Sequence, residues 1–127
     1  MMSDKPVAER LQVKGDRRLA VMGASAALEK TVGAHKARGE VPNADVVLLF
    51  APDRARLDAE LPGLLEKMAR TAILWVAYPK LSSSLAVDLS RDIIHALAPG
   101  HGLDTVGQIA IDADWSALRL KRVPPAK

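Results

Sequence analysis

An α/β fold built on a mixed five-stranded sheet is what this sequence predicts, and three observations carry the prediction. Residues 45–51 and 73–78 are apolar runs without polar alternation, the pattern of strands covered on both faces. Between them Leu57, Leu61, Leu64, Leu65 and Met68 recur at helical spacing. Near the end, the runs 105–112 and 115–123 are separated only by Ala113 and Asp114. So short a link forces an antiparallel hairpin, because a parallel return needs a long crossover. Alternation of strand and helix before that hairpin makes the first three strands parallel, with right-handed crossovers.

The elements follow in order. Residues 1–6 read as a tail, and Val7–Val13 as a short helix with Val7 and Leu11 on one side. Gly15-Asp16 is a turn signal. Leu19–Met22 is the first strand, and Ala26–Val32 a helix with Ser25 as N-cap and Gly33 as its stop. Residues 34–44 hold Gly39, Pro42 and Asn43 and read as loop. Pro52-Asp53 ends the second strand, and Asp53 caps the next helix. Pro62 sits inside that helix's apolar stripe, where it removes a hydrogen bond and clashes with the preceding turn. A break is expected near Glu60, with Pro62 opening a second segment to about Ala69.

Pro79 stops the third strand. Leu89, Ile93, Ile94 and Leu97 mark one face of the following helix, which ends at Pro99-Gly100. In the fifth strand Leu118 and Leu120 face one way, Arg119 and Lys121 the other, so it should be covered on one side only. Residues 124–127 close the chain as a second tail, and 1–127 reads as a single domain.

Composition narrows the function classes. Half of the 127 residues are hydrophobic, enough for a substantial core. The net charge is +3, but residues 1–45 carry 8 basic and 6 acidic groups, 46–100 carry 6 and 6, and the rest 4 and 3. No basic stripe emerges along the chain, so a nucleic-acid partner is not expected. The absence of cysteine excludes disulfides and thiolate chemistry. No apolar run approaches membrane-spanning length and no signal peptide is visible at residues 1–10, so a bacterial-type cytoplasmic protein without a membrane partner is expected.

Two resemblances add to this reading. The segments Arg10–Gly15, Ala44–Phe50, Leu74–Lys80, Asp88–Asp92 and Ile111–Arg119 resemble an uncharacterised bacterial family known only as a domain of unknown function, over nearly the whole chain. That family lends no activity. Residues 11–23, the run from Asp45, Trp75-Val76 and the final hairpin are similar to class I S-adenosylmethionine-dependent methyltransferases. The likeness implies a Rossmann-like sheet of order 1-2-3-5-4, with strand 5 antiparallel. It also marks a departure. Those enzymes place a glycine-rich loop after strand 1 and a ribose-binding acid at the end of the next strand. Here the loop is Gly23-Ala-Ser-Ala-Ala, and the chain runs from the first helix directly to Asp45. No cofactor is therefore expected.

The candidate site is the stretch 71–92, a strand, a polar loop and a helix start, because ligands of open α/β sheets bind beyond the carboxyl ends of the strands. Lys80 with Ser82, Ser83 and Ser84 can bind an anion, or the serines can simply cap the helix. Asp88, Arg91 and Asp92 fall within one helical turn, where Arg91 can fix a carboxylate or merely pair on the surface. Phe50, Tyr78 and Trp115 lie at strand ends on the same edge and can line a cleft or seal the core. Ser25 follows strand 1 at that edge but lacks the Gly-x-Ser-x-Gly frame of a nucleophile. Asp112 and Asp114 flank the hairpin, where acid–base chemistry competes with ordinary turn formation. His35, His95 and His101 show no metal spacing.

The leading expectation is a non-catalytic domain binding a small anionic ligand or a protein partner at this edge. The alternatives are an enzyme there, with Lys80, Asp88 and Trp115 as the residues to test, and a purely structural homodimer. The dimer rests on topology: simple crossovers would put all three main helices on one face, leaving the other apolar and open for a second copy.

Overall fold

The uninterrupted apolar sequence of the second strand requires a place between layers, and every one of its residues is buried. The computed structural model describes residues 17–32 and 39–123. Its strands are β1 (Leu19–Met22), β2 (Val46–Phe50), β3 (Ile73–Pro79), β4 (Leu103–Ala110) and β5 (Trp115–Arg122). They form one sheet in the order β1-β2-β3-β5-β4. The first three are parallel, and β5 is antiparallel to both of its neighbours. The helices among the described residues are α1 (Ala26–Val32), α2 (Arg54–Lys67) and α3 (Arg91–Leu97), with 3-10 turns at Val41–Asn43 and Ala98–His101. None of them is long and apolar enough to cross a membrane. The expected helix at Val7–Val13, the loop residues 33–38 and both tails lie outside the described residues.

Alternation along the strands divides the core in two. Val47, Leu49, Leu74, Val76, Leu118 and Leu120 pack with Leu57, Leu61 and Leu64 of α2 and Ile94 of α3. Leu19, Val46, Leu48, Phe50, Trp75, Ala77 and Trp115 form the opposite cluster, against which Leu28 of α1 packs. The helices therefore do not share a face, and the expected open apolar face is covered: Leu48, Trp75 and Ala77 are at most 3% exposed. The β1–β2 link explains this. The backbone N–H of Gly39 donates to Leu19 O at 3.1 Å, on the side of β1 away from β2, and Val41 then joins the α2 face. Gly39 thus lies at the free edge of the sheet, between a helix on one face and Val41 on the other, and the face expected to be open for a second copy is closed.

Local chemistry sets the helix ends. Ser25 Oγ accepts from Leu28 N, Asp53 Oδ1 from Arg56 N and Ser90 Oγ from Ile93 N. Contrary to the expected break, α2 runs unbroken through Pro62. The buried stripe is Leu57, Leu61 and Leu64, whereas Pro62 and Asp58 face solvent. The Asp58 carbonyl that Pro62 deprives of a donor can be hydrated, and the ring meets no neighbouring element.

Two further expectations are corrected at the sheet's far side. β5 is buried on both faces over Trp115–Leu118, because it lies inside the sheet between β3 and β4. The hairpin turn is also wider than Ala113-Asp114. Asp112 Oδ1 accepts from both Asp114 N and Trp115 N at 2.8 Å, a local turn that ends β4 at Ala110.

Candidate functional site

β3 carries its apolar run to the carboxyl edge, where Tyr78 lies opposite Ser116 and Pro79 opposite Trp115 on β5. Lys80 N then donates to Asp114 O at 2.8 Å, tying the start of the polar loop to the hairpin. Residues 80–90 form no regular structure. Ser83 Oγ donates to Asp114 Oδ1 and accepts from Leu85 N. Asp88 Oδ1 accepts from Arg54 N at 2.7 Å, pinning the far end of the loop to the first residue of α2.

An open cleft of about 760 Å³ lies beyond this edge, between the loop, the start of α3 and β4. Tyr78, Lys80, Ser82 and Arg91 line it, together with Ser90, Asp92, Gln108 and Ser116. Arg91, Asp92 and Gln108 also border a smaller recess of about 340 Å³ along β4, where the His95 Nδ1 and Thr105 Oγ1 atoms are hydrogen-bonded.

The other candidates lie elsewhere. Ser83 is spent on the Asp114 bond, and Ser84 does not line the cleft. Asp88 is outside α3, which begins at Arg91 with Ser90 as its cap, so the expected Asp88–Arg91–Asp92 helical turn does not form. Phe50 and Trp115 meet edge to face, with centroids 5.3 Å apart and planes at 77°, inside the second core cluster. They seal the core and do not border the cleft. Ser25 caps α1. Asp112 holds the hairpin turn, and no group of three or more metal-ligating side chains occurs among the described residues.

Electrostatics distinguish the members of the cleft. Lys80 has no ion-pair partner among the described residues. Arg91 meets Asp92 at 3.9 Å with both side chains largely in water, an interaction too screened to hold the guanidinium. Ser116 is the buried polar residue of the described core, 4% exposed, and sits opposite Tyr78 on the neighbouring strand. Burial pushes the Tyr78 phenol above its ordinary value of 10.0, while the nearby Arg91 charge and the Ser116 side chain pull it back less strongly. The phenol therefore stands in the cleft as a neutral hydroxyl at neutral pH. The arrangement offers two cationic groups and a floor of hydroxyls to a ligand that carries negative charge.

The fold has known counterparts. The ribosomal protein L11 methylase of Lactobacillus delbrueckii subsp. bulgaricus superposes with a TM-score of 0.60 over 93% of this chain and 75% of that one, at 11% identity. A tRNA methyltransferase of B. subtilis does so with a TM-score of 0.57 over 91% of this chain and 63% of that one, also at 11% identity. A 16S rRNA adenine methyltransferase of Catenulisporales acidiphilia reaches 0.52 at 16% identity, covering 98% and 95%. The fold is Rossmann-like, of the methyltransferase kind. No family model matches the chain, and no curated protein matches it.

Among the described residues, the loop after β1 differs from the cofactor frame that the resemblance implies. Gly23, at φ +76°, is the single glycine of the loop after β1, and a Cβ there would lie 2.7 Å from Phe50 O. Its missing side chain lets the loop pack against the protein's own backbone. β1 is an edge strand bordered by Gly39, so no outer strand is present among the described residues to carry a ribose-binding acid. The cleft itself lies at β3, β4 and β5, away from β1.

Proposed function

We propose that the carboxyl-edge cleft binds a small organic anion, a phosphate or carboxylate on a polar body, and that the protein acts by binding it. The observation that carries this reading is a Lys80 with no ion-pair partner among the described residues and a weakly held Arg91, in a cleft of about 760 Å³ that the Tyr78 and Ser116 hydroxyls also line. Ser82 and Gln108 supply further hydrogen-bonding groups at the rim, and Asp92 accepts from hydroxyls of the ligand body. The test is thermal unfolding in rising phosphate. Phosphate should raise the melting temperature through binding to the native state. Lys80→Ala should stay folded and lose most of that rise. An equal rise in both proteins would mean a general salt effect and no site.

A second reading, an enzyme at the same edge, draws support from the methyltransferase-like fold and from the neutral phenol of Tyr78. It needs a cofactor pocket that the loop at Gly23 does not resemble. Calorimetry should show no micromolar binding of S-adenosylmethionine, and a dissociation constant below about 10 μM, near −7 kcal/mol, would favour the enzyme instead. The likeness to the uncharacterised family is compatible with either reading.

A further inference from the structure

Charge that is scattered in the sequence gathers in space at the opposite, amino edge of the sheet. There a groove of about 360 Å³ is lined by Arg70, Arg119, Lys121 and Arg122 along with Thr71 and Leu120. A second recess of about 340 Å³ shares Arg70 and Arg122 and continues beneath the end of α2. Arg70 comes from the turn after α2, and the other three from the last residues of β5, about 50 positions away. Cations that meet only through the fold leave no basic stripe along the chain.

The four cations differ in role. Arg122 is structural: its Nη2 donates to the carbonyls of Leu65 and Met68 at 2.6 and 3.4 Å, and so holds the carboxyl end of α2 to β5. Its Nε is buried and has no partner among the described residues. The side chains of Arg70, Arg119 and Lys121 have no hydrogen bond or ion pair among the described residues; the ion pairs formed there belong to Arg54, Arg56 and Arg91. The nearby carboxylates are Glu66, at the margin of the second recess, and Asp104, opposite Lys121 on β4. Neither pairs with them.

We infer that this amino edge is a docking surface for the phosphate backbone of a nucleic acid. Unpaired cations held along a rigid strand end cost little to bring to successive phosphates, and each contact releases condensed counterions. The surface suits a nucleic acid better than an acidic protein. Protein interfaces centre on apolar and aromatic anchors, whereas nucleic-acid interfaces are polar and strongly positive. Here the apolar side chains between the cations are withdrawn: Leu120 is buried, and Ala72 and Ile73 are partly so. With no aromatic side chain in the groove, binding should follow the backbone and be indifferent to base sequence.

The test is fluorescence anisotropy with a labelled single-stranded RNA and a labelled DNA duplex of mixed sequence, from low to physiological salt. The affinity should fall steeply with salt, with a log–log slope of about −3, since roughly 0.7 to 0.9 counterions are released per phosphate contacted. Arg70→Glu/Lys121→Glu should weaken binding at least tenfold at low salt. Lys30→Glu/Arg56→Glu changes the net charge equally at exposed positions on other faces and should weaken it far less. Circular dichroism checks that both variants remain folded. Equal losses in the two variants would leave only net charge and overturn the site. So would an absence of binding at low salt, or a polyglutamate that competes as well as either nucleic acid.

Discussion

Asp88 joins the cleft to the core. Its carboxylate makes the hydrogen bond described between the loop 80–90 and α2, accepting from Arg54 N at 2.7 Å. Asp88→Ala removes a charged acceptor from a backbone N–H in the first turn of a 14-residue helix. Asp53 still caps the Arg56 N–H, so the helix should survive with one unmatched donor. Loss of such a cap costs about 1 kcal/mol, which for a chain of this size lowers the melting temperature by about 4 °C. Asp88→Asn keeps an acceptor oxygen and gives up only the charge at the helix N-terminus, about 0.5 kcal/mol. The ordering wild type, Asn, Ala should therefore appear in urea unfolding with unchanged slope. The same order should hold for the phosphate-induced stabilisation, because the loop carries Lys80 and Ser82. Two results would refute the reasoning: Asp88→Ala as stable as wild type, or Asn as damaging as Ala.

Three more outcomes are expected. Tyr78 is the only tyrosine, so absorbance near 295 nm reports its ionisation alone, and the midpoint should lie above 10. Since the unfolded chain then loses the proton first, stability should be unaffected below about pH 10 and fall as pH rises from there toward the native midpoint, a loss absent in Tyr78→Phe; a midpoint at or below 10 would contradict the burial. Gly63→Ala should stabilise by about 0.5–1 kcal/mol, because a Cβ there meets open space inside a helix; no gain in urea unfolding would mean that α2 is broken at Pro62. Gly23→Ala should do the reverse, losing about 2 kcal/mol through a left-handed backbone and a carbonyl 2.7 Å from the new methyl; a neutral result by the same assay would show that the loop is not packed as described.

How far the sequence could be read depended on whether the deciding interaction was local. The bounds of β1 and α1, the caps Ser25 and Asp53, and the antiparallel hairpin follow from neighbours in the chain, and the structure has them where they were expected. Pro62 misled because the cost of a helical proline depends on which face it occupies, and here it is the wet one. Asp88 misled because its three-residue spacing to Arg91 mimics a helix, while its partner Arg54 lies 34 positions away. Phe50 and Tyr78 both end strands, but the register sets Phe50 beside Ala77, and so on the face opposite Tyr78. Ser116 was legible in principle: it is in phase with Leu118 and Leu120, so a hydroxyl was due on the buried side of β5. Gln108, on a strand with weak alternation, gave no such signal. The basic amino edge was invisible to any count along the chain, since its cations come from two distant segments.

The sheet order also constrains how the protein is made. β5 is the last strand in the chain yet sits between β3 and β4. β4, although synthesised first, has β5 as its one neighbour in the sheet among the described residues. It cannot dock by itself, so the two must reach β3 together, as a hairpin formed in advance. Until residue 122 has cleared the ribosome, the growing chain presents Leu74, Val76 and Tyr78 on a strand with one side unpaired. Such an edge invites pairing with other nascent chains. The vulnerable interval is the time needed to translate about 40 codons, a few seconds at ~5–20 residues per second. Slowing translation across that stretch should therefore lower the yield of soluble protein more than slowing it earlier in the message.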